Sequence, residues 1–424
     1  MRQLRGLLSL SPLLVFLLVY LGSSILAGDF YRVPVSSAFL IACIFAVLIS
    51  KGTLEERLTA FSRGAGHPDL LLMIWIFILA GAFTGIARSI GAVDATVALA
   101  IKVIPPRMLY AGLFLTACFI SMAIGTSVGT IVALVPIGAG IAAQCDSSLA
   151  YMTAVIVGGA LFGDNLSFIS DTTIASTRAA GCEMKDKFKT NIVIILPAVL
   201  IVTAIYLIQG RSLQAVTAQQ TLHLVRILPY VLIIVLSLCG CNVTLSLAIG
   251  ILSCFIIGVA GSSLSWIGTL EALGGGVAAM NDLIVVTLLA GGLLEIIRRE
   301  GGLDYIISHL SSLARGPRAA QASIASLVCV ANLCTANNTI AIITTGSIAR
   351  SISEKFGVDP KKTASILDTF SCMVQGFIPY GAQLLMASGL AGVASTAIIP
   401  YLYYPAVMGV CAILAILFDY PHIK

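Results

Sequence analysis

Apolar runs separated by short polar stretches occupy this chain from end to end. Runs near 7–27, 35–50 and 70–87 are followed by one from 108 to 143 and another from 148 to 177. A helix needs roughly 20 apolar residues to cross about 30 Å of hydrocarbon, so the pattern predicts repeated membrane crossings. The first run follows Arg2 and Arg5 and imitates a signal peptide. Its length, and the start of the next run at Val35, read instead as an uncleaved span. As one helix, 108–143 would extend about 54 Å at 1.5 Å per residue, so it predicts two short passes or a broken hairpin. The fold class expected is an all-α polytopic membrane protein with about 11–14 transmembrane segments.

The chain also resembles itself. Ala80 to Val97 aligns with Ala290 to Ile307 at an offset of 210, and Asp146 and Gly163 align with Asp359 and Gly376 at an offset of 213. Between these, an apolar stretch broken by GTSVGT at Gly125 answers one broken by TANNT at Thr335. Five segments follow: N-terminal spans 1–79, a first repeat 80–182, connecting spans 183–289, a second repeat 290–393 and a C-terminal span 394–424. Loop charge orients them. With Arg2 and Arg5 cytoplasmic, Lys51, Arg57 and Arg63 fall inside, as do Arg178, Lys185, Lys187 and Lys189. In the second repeat the cations move to the opposite equivalents, Arg298, Arg299, Arg315 and Arg318, then Arg350, Lys355, Lys361 and Lys362. The two repeats therefore read as inverted, with broken helices or re-entrant hairpins. Arg88, Lys102 and Arg107 in the loop 88–107 run against that assignment.

Composition agrees with a lipid solvent: 58% hydrophobic residues, 10% charged, and a mean hydropathy of +1.04. The net charge of +5 is divided among short loops, so nucleic acid is not an expected partner. Eleven cysteines stand mostly alone inside apolar runs and read as small packing residues. No cofactor is expected. The lack of GxxxxGK[ST] excludes a nucleotide-driven pump within this chain. Gly163-Asp164 has part of the GxGD form of intramembrane aspartyl proteases, but Leu161 occupies the first glycine position, and the chain reads as no enzyme.

Chemistry concentrates in FGDNLSFISDTTIAST, Phe162 to Thr177. A carboxylate inside the bilayer costs roughly 2.5–3.5 kcal/mol on insertion scales, so such residues line solvated or ion-bearing paths. Asp164 leads, with Asn165, Ser167, Ser170, Asp171, Thr172 and Thr173 around it. If the segment is helical, Asp164, Ser167 and Asp171 share one face, and Gly163 could loosen the backbone and free carbonyls. Asp171, Thr172 and Thr173 would alternatively cap a helix. In the second repeat Asn337, Asn338 and Thr339 form an amide cluster inside an apolar run, read as a helix break. Its first-repeat partner is Gly125, Thr126 and Ser127. LDTFSCMVQGFIPYGAQ adds Asp368, Gln375 and Gln383, with Pro379 expected to bend the crossing. Oxygen-rich sites suit hard cations, and a carboxylate that gives up a proton when a cation arrives couples two flows.

GDNLSFISDTT resembles the signature of NhaC-type sodium/proton antiporters, close to GDKMSPLSDTT, with Asp164, Ser167, Ser170, Asp171, Thr172 and Thr173 matching. TANNTIAIITTGSIAR resembles that family's TSNQYLAIVLPGRMF, and DTFSCMVQGFIPY its EDSGTVTSPLIPW, which puts Asp368 at the acid position and Pro379 at the proline. Departures include Asn165 for lysine, Gln375 for serine and Tyr380 for tryptophan. The resemblance implies a secondary transporter of a bacterial cytoplasmic membrane, N-terminus inside, exchanging sodium for protons at Asp164. Sodium would be a transported ion, lipid the surrounding partner, and a homodimer is left open. The family also resembles malate/lactate exchangers, so coupled movement of a small organic anion or amino acid is the alternative.

Overall fold

The computed structural model describes residues 8–27, 34–167, 170–213, 223–261, 264–303, 305 and 316–421. Arg2, Arg5 and Arg315, used above to orient the chain, lie outside these residues. The described residues form helices joined by short turns. In chain order the helices are α1 Ser11–Ala27, α2 Val35–Ile49, α3 Leu54–Ala65, α4 Pro68–Ser89, α5 Ala92–Val103, α6 Leu109–Ile124, α7 Ser127–Gln144, α8 Leu149–Leu166, α9 Asp171–Ala180 and α10 Met184–Gln209. There follow α11 Leu224–Leu238, α12 Val243–Ala260, α13 Trp266–Ala278, α14 Asn281–Arg299, α15 Pro317–Thr335, α16 Asn338–Phe356, α17 Pro360–Gln375, α18 Ala382–Ala391, α19 Ser395–Ile398 and α20 Tyr403–Leu417.

Among the described residues, seven segments are long and apolar enough to cross a membrane. The pair Ala382–Ala391 and Ser395–Tyr401, bent by 98°, is one further broken span or re-entrant loop, and four shorter apolar helices accompany them. By length and composition that gives seven spans, or eight with the bent pair counted as one, against the 11–14 expected. Large apolar side chains such as Leu48, Phe119, Leu200 and Ile208 are exposed, where lipid is the solvent that accepts them. Within the bundle, small residues allow backbones to meet. A Cβ on Gly81 or Gly85 of α4 would strike the backbone of α13, and one on Gly64 would strike α14 at Gly291. The short amphipathic α3 was not anticipated between the second and third spans. Thr53 and Glu56 start it with a reciprocal capping box.

The internal duplication is visible in the backbone. Left-handed residues recur at Gly125 and Ala336, at Asp146 and Gly357, and at Gly181 and Gly392, each pair 211 apart. The helices between them, α6 to α9 and α15 to α18, correspond in order. Near Gly91 and Gly301, both left-handed, the offset is 210, as the sequence alignment has it. Farther on, the alignment at 213 is corrected to 211: the turn lengths set the register, and Asp164, not Gly163, falls opposite Gln375. Packing between the two units is reciprocal. The first unit's α9 lies against α16 and α17, while the second unit's α18 lies against α7 and α8. Such an exchange is what a two-fold pseudo-symmetry produces.

Candidate functional site

Both units break a helix in the same way. After α6, Gly125 is left-handed (φ 79°, ψ 15°) and Thr126 extended before α7 begins. After α15, Ala336 is left-handed (φ 51°, ψ 20°) and Asn337 extended before α16 begins. Each break presents a carbonyl end and an amide end at one level of the bundle, the arrangement by which discontinuous helices hold ions. The second break is capped locally, Asn337 Oδ1 accepting from Ile340 N at 3.0 Å and Asn338 Oδ1 from Thr339 N at 3.1 Å.

Asp164, on the last turn of α8, fills the amide end of the first break. Its Oδ1 accepts from Ser127 N at 2.8 Å and its Oδ2 from Ser127 Oγ at 2.5 Å. An anion at a helix N-terminus is stabilised by the free N–H groups and the helix dipole, which is how the fold retains a carboxylate 6% exposed. Gln383, on α18, donates from Nε2 to Ser127 Oγ at 3.0 Å and to Asp164 Oδ2 at 3.4 Å. Gln375 donates from Nε2 to Gln383 Oε1 at 2.8 Å and to the Ala336 carbonyl at 3.1 Å. A hydrogen-bonded string thus runs from the carboxylate of one unit to the broken helix of the other.

These groups surround a cavity of about 240 Å³. Gly125, Thr126, Ser127, Asp164, Asp171 and Thr172 line it from the first unit, and Asn337, Asn338, Thr339, Gln375 and Gln383 from the second. No lysine or arginine is among its described lining residues. A smaller cavity of about 100 Å³ shares Met73, Ala336 and Ile340 with it and reaches His67, Glu295 and Arg298. Glu295 is also paired with Arg298 at 3.5 Å.

Several expected residues sit elsewhere or act differently. The helix does not carry Asp164, Ser167 and Asp171 on one face: it stops at Leu166, and Ser170 caps α9 by accepting from Thr173 N at 3.2 Å. Ser170 Oγ and Thr172 Oγ1 reach the Asp164 carbonyl at 2.7 and 2.5 Å, so the carbonyl freed by the break is held by hydroxyls. Asp171 is exposed in the first turn of α9. Gly163 does not break the helix. Its carbonyl accepts from Ser167 N at 2.9 Å, and a Cβ there would collide with Ser121, so it sets the close approach of α6 and α8. Pro379 lies in the turn between α17 and α18 and does not bend a continuous crossing.

Asp368 is fully buried in α17 and forms an ion pair with Lys187 of α10, itself 1% exposed. Lys187, placed above in a cytoplasmic loop, is therefore corrected to the interior. Its Nζ also donates to the Asn165 carbonyl at 2.5 Å and to Thr173 Oγ1 at 2.7 Å. Asn191, one helical turn on, donates to Asn165 Oδ1 at 3.0 Å, and Asn165 Nδ2 to Thr369 Oγ1 at 3.2 Å. Lys187 thus brings a cation from another helix to the backbone at Asn165. The available signal was the spacing of Lys187 and Asn191, four apart on one face at the head of an apolar run.

The Na+/H+ antiporter family matches residues 7–211 and 212–420. An uncharacterized Na+/H+ antiporter of Haemophilus influenzae is 25% identical, with 92% of this chain and 91% of the relative covered. The Na+/H+ antiporter NhaC of Alkalihalophilus pseudofirmus is 24% identical over 92% and 90%. The malate-2H+/Na+-lactate antiporter of Bacillus subtilis is 22% identical over 93% and 92%. Among solved structures, the YdaH transporter of Alcanivorax borkumensis matches with a TM-score of 0.42 and 13% identity, covering 86% of this chain and 88% of that one. The matched segments span nearly the whole chain: it belongs to the Na+/H+ antiporter family.

Proposed function

We propose that this protein exchanges sodium for protons across the bacterial cytoplasmic membrane by alternating access, N-terminus inside, with Asp164 as the carboxylate that holds either ion. The observation that carries this is the buried Asp164 carboxylate, held by the Ser127 backbone N–H, the Ser127 hydroxyl and the Gln383 side-chain NH2, in a cavity at the junction of two broken helices. Sodium is a hard cation that oxygen ligands suit. A proton and a sodium ion competing for one carboxylate cannot both be held, which makes the two flows obligatory partners. No enzyme chemistry and no resident cofactor are needed. The reciprocal packing of α9 and α18 supports alternating access, because tilting one unit against the other moves both breaks together.

In everted membrane vesicles containing the protein, sodium should dissipate a preformed proton gradient, and Asp164→Asn should abolish the response. A second reading, coupled transport of a small organic anion, is favoured by the malate/lactate relative and by a cavity larger than one ion needs. The lining carries carboxylates and no described cation, which favours the ion. Vesicles that ignore sodium alone yet respond to malate or lactate with sodium would establish the second reading.

A further inference from the structure

The register between the two units gives Asp164 a counterpart. Residues 211 apart make equivalent contacts: Ser121 Oγ donates to the Ala160 carbonyl, and Asn332 Nδ2 to the Ser371 carbonyl. The same two positions also meet in both units, though through different atoms: Thr172 Oγ1 donates to the Asp164 backbone carbonyl, and Gln375 Nε2 to Gln383 Oε1. By this register the position of the first unit's carboxylate is occupied in the second by an amide, Gln375, and both line the same cavity.

The orientation of that amide follows from its neighbours. A backbone carbonyl can only accept, so the Gln375 atom 3.1 Å from the Ala336 oxygen is Nε2. The other terminal atom is then Oε1, which is buried and has no hydrogen-bond partner in a side chain only 1% exposed. A buried acceptor left without a partner is destabilising. A bound cation removes that cost.

We propose that Gln375 is the neutral half of a cation site whose charged half is Asp164, and that its amide oxygen ligates the transported ion and restricts the site to monovalent cations. The inference rests on the cavity being the cation site. One buried carboxylate, Asp164, with neutral oxygens balances a single positive charge, whereas paired buried carboxylates favour divalent ions such as calcium. Asp171, which also lines the cavity, is exposed, so a glutamate at 375 would add a second buried carboxylate to that of Asp164. The glutamate would also set an oxygen against the Ala336 carbonyl, a contact that a cation between them relieves.

The test is calorimetric binding of sodium and of calcium to the purified, detergent-solubilised full chain, with thermal melting as a check on folding. Gln375→Leu should weaken sodium binding roughly five- to tenfold, the loss of one polar ligand. Gln375→Glu, nearly isosteric, should bind calcium where the wild type does not. Sodium affinity within twofold of wild type in Gln375→Leu, or no calcium binding by Gln375→Glu, overturns the proposal. Asp164→Asn separates the two ideas. If it binds sodium normally, the cavity is not the cation site; if it loses sodium while Gln375→Leu keeps it, only the role of Gln375 fails.

Discussion

At the scale of single residues, the bundle keeps charge inside lipid in two ways. Asp164 is satisfied by a helix terminus and a hydroxyl, and therefore stays available to a mobile ion. Asp368 is satisfied by Lys187, a fixed partner. Removing one member of a buried ion pair leaves an uncompensated charge and costs about 3–5 kcal/mol. Lys187→Met should accordingly lower the melting temperature sharply, and the charge-balanced Lys187→Met/Asp368→Leu protein should recover most of the loss. A double variant no more stable than the single one would show that the pair does not act as a unit. Asp164 was legible because an acid inside an apolar run is conspicuous by its cost. Lys187 was not, because three lysines near the end of a span read as interfacial, and only helical phase separates the buried one from Lys185 and Lys189. Asp419, beyond the last helix, is a third case. Hydrogen bonds from Lys362 and Gln321 hold its carboxyl below the usual carboxylate range. A lowered folded-state pKa contributes stability above the unfolded value and loses it as pH falls through the folded one. Asp419→Asn should therefore cost no more than about 1 kcal/mol at neutral pH, as for a part-exposed pair. Melting curves of the two proteins should converge as pH drops below about 4.

At the scale of elements, breaks and close approaches decide the architecture. Of the two breaks, the first announces itself through Gly125, since glycine is at ease in the left-handed region. The second uses Ala336, which sequence alone does not mark as left-handed; the amides after it revealed the break instead. The turn that separates α8 from α9 was missed for a similar reason, because Ser167 and Ser170 serve a continuous helix face or a cap equally well until the backbone is seen. Glycines were harder to read. Gly163 in the sequence is compatible with a loosened helix or a tight helix contact, and the structure shows the contact. Gly163→Ala should separate α6 from α8 and destabilise the protein by roughly 1–3 kcal/mol, the range for overpacking. Thermal melting in detergent measures this, and an unchanged midpoint would contradict the assigned role. The capping box of α3 was legible in Thr53 and Glu56, yet the helix is amphipathic rather than spanning and so lay outside a search for apolar runs.

At the scale of the whole molecule, duplication joins fold to function. Two units with the same break, interlocked through α9 and α18, bring one acid and one amide from equivalent positions to one cavity. The repeat was legible from matched residues, but its register was not, because insertions between helices shift an alignment without changing its score much. Left-handed residues at constant separation resolved it. The central claim is that sodium and protons compete for Asp164. Its most direct test is sodium uptake into proteoliposomes of the purified protein, driven by an outward proton gradient, comparing wild type with Asp164→Asn. The account predicts uptake by the wild type, inhibited as external protons rise, and uptake by the variant no greater than by protein-free vesicles. Sodium uptake by a folded Asp164→Asn protein at the wild-type rate would contradict it.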